Sequence, residues 1–375
     1  MRKNECTRRF LTGWVVLMLT ATMAWAAGPQ LTDQPTDAEI EAYAVYWAGA
    51  IRDSQTASGV TDAANKLTQA YSLQTDASYT FAKIASRQLL DVLGDMDETD
   101  LLVDIKTANA AMAISLMPQV AIQSVLKDLI VDDRPVVRYF GWSGYGNIRL
   151  LLMTQGGTAL STFEDSVKTR LANETDPRVL GMLIDAIDLP PRLPEGMDEE
   201  MYNATSAMLL TELTSNLPTY ARYCATSNAE WSDTCAVAIS ATQRRLTYAK
   251  SLDPEAALTA EQLQGVVDLM TVAAEVYAEG STSVDELQVE TVLLMRECED
   301  LLNDSVKQTK GLMRSALSGK NADWKAHATK VQLAAMDWTM NLSEMGVVAT
   351  DLDSLMPPAE DDADAETATD EGAAE

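Results

Sequence analysis

Apolar residues recur along most of this chain at spacings of three and four, the period of a helix that buries one face. Ile40, Tyr43, Trp47, Ala50 and Ile51 are one instance. They begin just after Thr36-Asp37, where a threonine hydroxyl can cap the first turn. The same spacing predicts further helices at about 60–73, 77–93, 98–116, 119–130, 135–153, 158–172, 177–187, 200–215, 235–250, 260–279, 284–318 and 323–349. Breakers separate them, among them Gly94-Asp95, Met117-Pro118, Gly156-Gly157, Leu189-Pro190-Pro191 and Asp253-Pro254. Alternating runs that would mark strands are almost absent, so the fold class is all-α.

From residue 284 the period tightens. Val284, Leu287, Thr291, Leu294, Cys298, Leu301 and Ser305 form one seam, and Trp324, Ala328, Val331, Ala335, Trp338, Leu342 and Met345 a second. A polar turn, Ser318-Gly319-Lys320-Asn321, joins them. Two such seams predict a long antiparallel helical hairpin whose arms pack together and onto the helix at 260–279. Cys298 lies on its seam, so it reads as buried and inert.

The middle of the chain repeats itself. Ser124-Val125, Leu129, Pro135 and Val137 recur as Ser166-Val167, Leu171, Pro177 and Val179, all at an offset of 42 residues. In each copy a helix ends, an acidic turn follows, and proline opens the next helix, where its missing N–H has no helical partner to lose. Asp133-Arg134-Pro135-Val136-Val137-Arg138 and Asp176-Pro177-Arg178-Val179 resemble the turn between paired helices of the HEAT-repeat family. The period falls in that family's range. The resemblance covers about residues 118–187 and implies a scaffold for protein contacts. The second copy carries Leu180 where the first has Arg138, so the expected stack is irregular.

The two ends of the chain carry address and charge. Arg2, Lys3, Arg8 and Arg9 precede a short apolar run from Leu11 to Ala24, and Ala24-Trp25-Ala26 supplies small residues for signal-peptide cleavage between Ala26 and Ala27. The run is too short to span a bilayer, and no later segment is apolar enough. The expected product is therefore extracytoplasmic, periplasmic or secreted, with no membrane span. The whole chain carries a formal charge of −28. Losing a peptide with four bases and one acid makes that more negative still. Such a field disfavours nucleic acid and favours basic partners, cations or solubility. The segment from Pro357 onward holds no large apolar residue, which predicts a disordered acidic tail.

Three cysteines remain after cleavage: Cys224, Cys235 and Cys298. Cys224 and Cys235 flank Ala225–Thr234, a polar stretch that reads as a loop, and are the pair expected to form a disulfide in an oxidising compartment.

Motifs for chemistry are sparse. His327 is the one histidine, and its setting near Lys325 and Lys330 suits an exposed position beside the seam. Ser124-Val-Leu-Lys127 has the Ser-x-x-Lys spacing but lacks the companion Lys-Thr-Gly, and Ser124 belongs to the repeat. Gly141, Gly144 and Gly146 lie in a predicted helix without a preceding strand, which excludes a dinucleotide fingerprint. They predict a kink or a close backbone approach there. Arg138, Trp142, Tyr145 and Arg149 around them are a candidate contact surface, with core packing of the two aromatics as the alternative. No cofactor is implied, and zinc sites built on several His and Cys are excluded by count.

The expected organisation is a signal peptide at 1–26, a HEAT-like repeat domain at 27–255, a helical hairpin or bundle at 256–352 and an acidic tail at 353–375. The expected function is a non-catalytic scaffold binding another protein or an envelope component. The alternatives are an all-helical toroid hydrolase or lyase using paired carboxylates, and a helical-bundle ligand carrier.

Overall fold

A computed structural model describes residues 28–280, 286–318 and 324–356. The expected signal peptide at 1–26 with its cleavage site, residues 319–321 of the expected turn and residues 357–375 lie outside the described residues. Within them the chain forms sixteen α-helices and no strand. No helix there is long and apolar enough to cross a membrane. The chain divides into two compact units, residues 1–144 and 145–375.

The first unit holds α1 (Asp37–Asp53), α2 (Ala57–Leu73), α3 (Ser78–Gly94), α4 (Val103–Ser115), α5 (Gln123–Leu129) and the start of α6 (Pro135–Gln155). Thr36 caps α1 as its sequence predicts: its hydroxyl accepts from Glu39 N, and the Glu39 carboxylate accepts from Thr36 N at 2.7 Å. α1 pairs with α2 and α3 with α4, while α1 lies on α3 and α2 on α4. Two helical hairpins are thus stacked, each helix over its counterpart. Lys106 is buried between them, donating to Arg52 O at 2.6 Å and to Asp100 at 2.5 Å. These partners offset the cost of removing its ammonium from water.

The glycines of α6 mark close approach. A Cβ on Gly141 would meet the Ile130 side chain at 2.9 Å and its backbone N at 3.0 Å. The first half of α6 therefore lies hard against α5, and only hydrogen fits between them.

The second unit continues with α7 (Gly157–Asn173), α8 (Pro177–Ile187), α9 (Glu199–Ser215), α10 (Leu217–Cys224), α11 (Ala229–Leu252), α12 (Ala260–Glu279), α13 (Glu286–Val306), α14 (Leu312–Leu317), α15 (Trp324–Leu342) and α16 (Leu352–Leu355). Asp176 caps α8 by accepting from Arg178 N and Val179 N, with Pro177 in the first turn as the repeat predicts. Contacts run in two layers. α7, α9, α12 and α15 follow one another in the first, and α8, α11 and α13 in the second. α7–α8, α9–α11 and α12–α13 are the rungs between layers, with α10 set between α9 and the next pair.

This arrangement departs from the expected hairpin at its centre. The arm at 284–318 is two helices, because Asn303 grips Lys310 through its backbone N (2.7 Å) and O (2.8 Å). Lys307 takes a left-handed φ of 53° in the intervening turn. α14 then folds back onto Glu299, which accepts from Met313 N at 2.6 Å and Arg314 N at 3.1 Å. The two arms do not pair along their length. α13 packs on α11 and α12, α15 packs on α12 and α14, and Trp338 Nε1 donates to Glu299 at 3.3 Å. α11 lies along α13, and the residues on either side of 255 fall in the same compact unit. The start of the expected tail, 353–355, belongs to the short α16, which rests on α10.

The expected Ala225–Thr234 loop is also shorter, since α11 begins at Ala229. All three cysteines are buried free thiols in the structure. Cys235 Sγ lies 3.5 Å from Tyr220 O, while Cys224 Sγ lies 3.8 Å from Ser232 Oγ. This antiparallel register sets Cys224 opposite Ser232 and Cys235 opposite Tyr220.

Candidate functional site

The second layer of the second unit gathers charge from helices far apart in sequence. Asp185 stands near the end of α8, and Asp188 just beyond it. Arg244 reaches back from α11, donating through Nε to Asp188 at 3.1 Å and through a terminal nitrogen to Ser240 Oγ at 2.8 Å. Asp233 lies on the first turns of α11 and Glu297 midway along α13. Gln243 on α11 donates to Asp304 on α13 at 2.8 Å, closing the rim.

The carboxyls on this face are not at ease. Desolvation raises the pKa of Asp185, and Asp188 adds to it while Arg244 opposes it. Burial likewise raises Glu297, reinforced by Asp300 and opposed by Arg244, and raises Asp233, reinforced by Glu286. Asp185 keeps contact with solvent, yet surrounding protein withholds enough water to disfavour its charge. One guanidinium, Arg244, thus serves acids on both flanking helices.

Beneath this face the Leu189-Pro190-Pro191 segment is held by buried donors. Arg245, 2% exposed, donates to Leu189 O at 2.5 Å, Pro190 O at 3.4 Å and Ser206 Oγ at 3.4 Å. The Tyr202 hydroxyl donates to Pro190 O. Tyr248 sets its ring edge-on to Tyr202 at 5.2 Å and donates to Asn203 at 2.6 Å. A cavity of about 250 Å³ lies alongside, lined by Pro191, Ser240, Gln243, Arg244, Thr247, Tyr248 and Ser251. A second, of about 460 Å³, is lined by Lys310, Gly311, Leu312, Asp337, Met340 and Asn341. Neither lining brings two carboxylates together. Among the described residues no group of three or more His, Cys, Asp or Glu side chains is placed to hold a metal.

The structure distributes the sequence-predicted residues differently from the expected contact surface. Trp142 and Tyr145 are wholly buried, Tyr145 against Phe163 with ring centroids 5.4 Å apart. They pack in the interior, so they present no surface to a partner. Arg138 closes its own turn, donating to Asp132 O at 3.0 Å and Asp133 O at 2.9 Å. Arg149 belongs near the charged face: burial lowers its pKa, while Asp188 and Asp185 oppose that fall. Gly146 explains itself within this unit, since a Cβ there would lie 3.2 Å from the Ala186 backbone.

Two other candidates also resolve. His327 is buried rather than exposed, 3.1 Å from the Tyr277 hydroxyl and beside Trp324. Ser124 and Lys127 are both open to solvent on α5. Sequence reasoning missed Asp185, Asp233, Arg244 and Glu297, which share no local motif.

No protein-family model and no curated protein matches the chain. Two engineered proteins solved by the Northeast Structural Genomics Consortium align with it, each at 15% identity. One alignment covers 79% of this chain and 97% of the other, with a TM-score of 0.23. The second covers 84% and 85%, with a TM-score of 0.28. At such scores neither likeness bears on fold or function.

Proposed function

We propose that this chain is an exported, non-catalytic helical-repeat scaffold. It docks a basic segment of another protein or an envelope component on the charged face of α8, α11 and α13. The HEAT-like turn sequences and the two-layer order of α7 to α15 support the scaffold reading. The basic and apolar N-terminal residues ending at Ala26 support export. The observation that carries the docking reading is the set of half-satisfied acids on three helices. Asp185, Asp233 and Glu297 have raised pKa values; Arg244 opposes the rise at two of them, joined by Arg149 at Asp185 and Arg314 at Glu297. A lysine or arginine brought among them relieves that unfavourable charge, so association and ionisation reinforce each other. Photocrosslinking tests it. With benzoylphenylalanine in place of Gln243, the exported protein is expected to form a defined adduct in cells. Asp185→Asn with Glu297→Gln is expected to abolish that adduct. An adduct of unchanged yield in the neutralised variant contradicts the assignment.

A further inference from the structure

The first layer of the second unit ends on an apolar face that no further helix of the layer covers, its Met340 end bordering the cavity lined by Lys310, Gly311 and Leu312. α7, α9 and α12 are each followed by a helix of the same layer, and α15 is the last in that order. Ala328, Val331, Ala335, Trp338 and Leu342 point inward and are buried. On the other side Leu333, Met336 and Met340 are 51%, 57% and 66% exposed, at spacings of three and four. They form a second stripe on the same helix. Large side chains seldom stand in such a row on a free surface.

The charges along this stripe are polarised. Lys330 precedes Leu333 by one turn, while Asp337 and Glu344 border the half containing Met340. Among the described residues none of these three forms a salt bridge within the chain. Two copies laid antiparallel place Leu333 against Met336 in both directions. Lys330 of each copy then comes beside the acidic half of the other. A parallel pair sets like charges together instead. The stripe is therefore complementary to itself under a two-fold axis, as an isologous contact requires.

We infer that α15 is a self-association surface and that its occupant is α15 of a second copy, antiparallel, with Leu333 and Met336 at the centre and Met340 flanking them. The helix is 19 residues, about 28 Å long. One such strip is at the low end of specific interfaces, so the association is expected to be weak and reversible.

Sedimentation velocity of the exported chain at about 0.15 M salt, across the micromolar range, tests this. The expected result is a reversible monomer–dimer equilibrium. Leu333→Glu is expected to weaken it by about tenfold or more. Lys330→Glu and Asp337→Lys are each expected to weaken it, and the two together to restore it. These charge changes lie on the helix rim and test the arrangement even where Leu333→Glu lowers helicity. A species of monomer mass at every concentration overturns the inference and leaves the stripe to a different kind of partner. Unchanged dimerisation in the charge variants overturns the antiparallel register.

Discussion

Glu299 is the residue on which the end of the second unit turns, and its replacement gives a sharp forecast. The side chain is fully buried. One oxygen accepts from Met313 N at 2.6 Å and Trp338 Nε1 at 3.3 Å, and the other from Arg314 N at 3.1 Å. It thereby ties α13 to α14 and α15 at once. Glu299→Gln keeps the shape but must turn an amide NH₂ toward one of these donors. That loses at least one hydrogen bond and leaves buried donors facing each other, at a cost of about 2–3 kcal/mol. The unit spans residues 145–375, and at this size each kcal/mol moves the melting temperature by about 2–4 °C. The expected fall is therefore about 4–12 °C. Glu299→Ala also opens a cavity and orphans all three donors, for about 3–5 kcal/mol. Urea titration followed by tryptophan fluorescence reads the change, since Trp338 is wholly buried beside the site. A Glu299→Gln protein within about 0.5 kcal/mol of the parent refutes the assignment of this carboxylate as the tie.

Three further outcomes follow from the packing and the charges. Trp142→Ala is expected to cost about 3–5 kcal/mol by thermal melting, as a core truncation does; an unchanged melt would place that side chain on the surface. A chain ending at Glu255 removes α12 and α13 from the buried faces of α9, α10 and α11. It is expected to lack a cooperative melt, whereas a sharp transition would restore a boundary there. For Asp185, Asp233 and Glu297 the folded pKa lies above the unfolded one, so the native state binds more protons. Their contribution is most favourable below the ordinary carboxylate range and is lost as pH rises through the folded values. Asp185→Asn, Asp233→Asn and Glu297→Gln together are thus expected to stabilise at pH 7 by roughly 0.5 kcal/mol or less per site. That gain should vanish below about pH 4.

Much of the architecture is legible in the residues because local chemistry decides it. Thr36 caps α1, and Pro177 opens α8 behind the Asp176 cap, as their neighbours predict. The errors arise where distant side chains intervene. The break after Val306 falls on Lys307-Gln308-Thr309-Lys310-Gly311, a polar stretch that the expected helix at 284–318 ran through, and Asn303 and Glu299 fasten the chain across it. Ala229–Thr234 is polar yet helical, because Asn228 caps it and Trp231 is buried against Tyr223. The seam pattern calls for a partner for each of 286–306 and 324–342; the expected helix at 260–279 is that partner, while the expected pairing of the two arms along their length does not occur. His327 looks exposed beside lysines, yet the helical turn carries it inward toward Tyr277.

The candidate site was barely readable. Of the four residues singled out, Arg149 alone belongs near the charged face, because aromatics and glycines together also describe close helix packing. Asp185, Asp233 and Glu297 are spread over more than a hundred residues. Each by itself resembles any solvated helical acid. Only the layering of α8, α11 and α13 brings them to one surface.

Titration of the protein with an arginine-rich peptide, repeated at rising salt, tests the docking proposal most directly. The account expects binding that weakens steeply with salt and falls about tenfold or more when Asp185, Asp233 and Glu297 are neutralised together. Equal binding by the parent and the neutralised protein, or none by the parent at low salt, would contradict it.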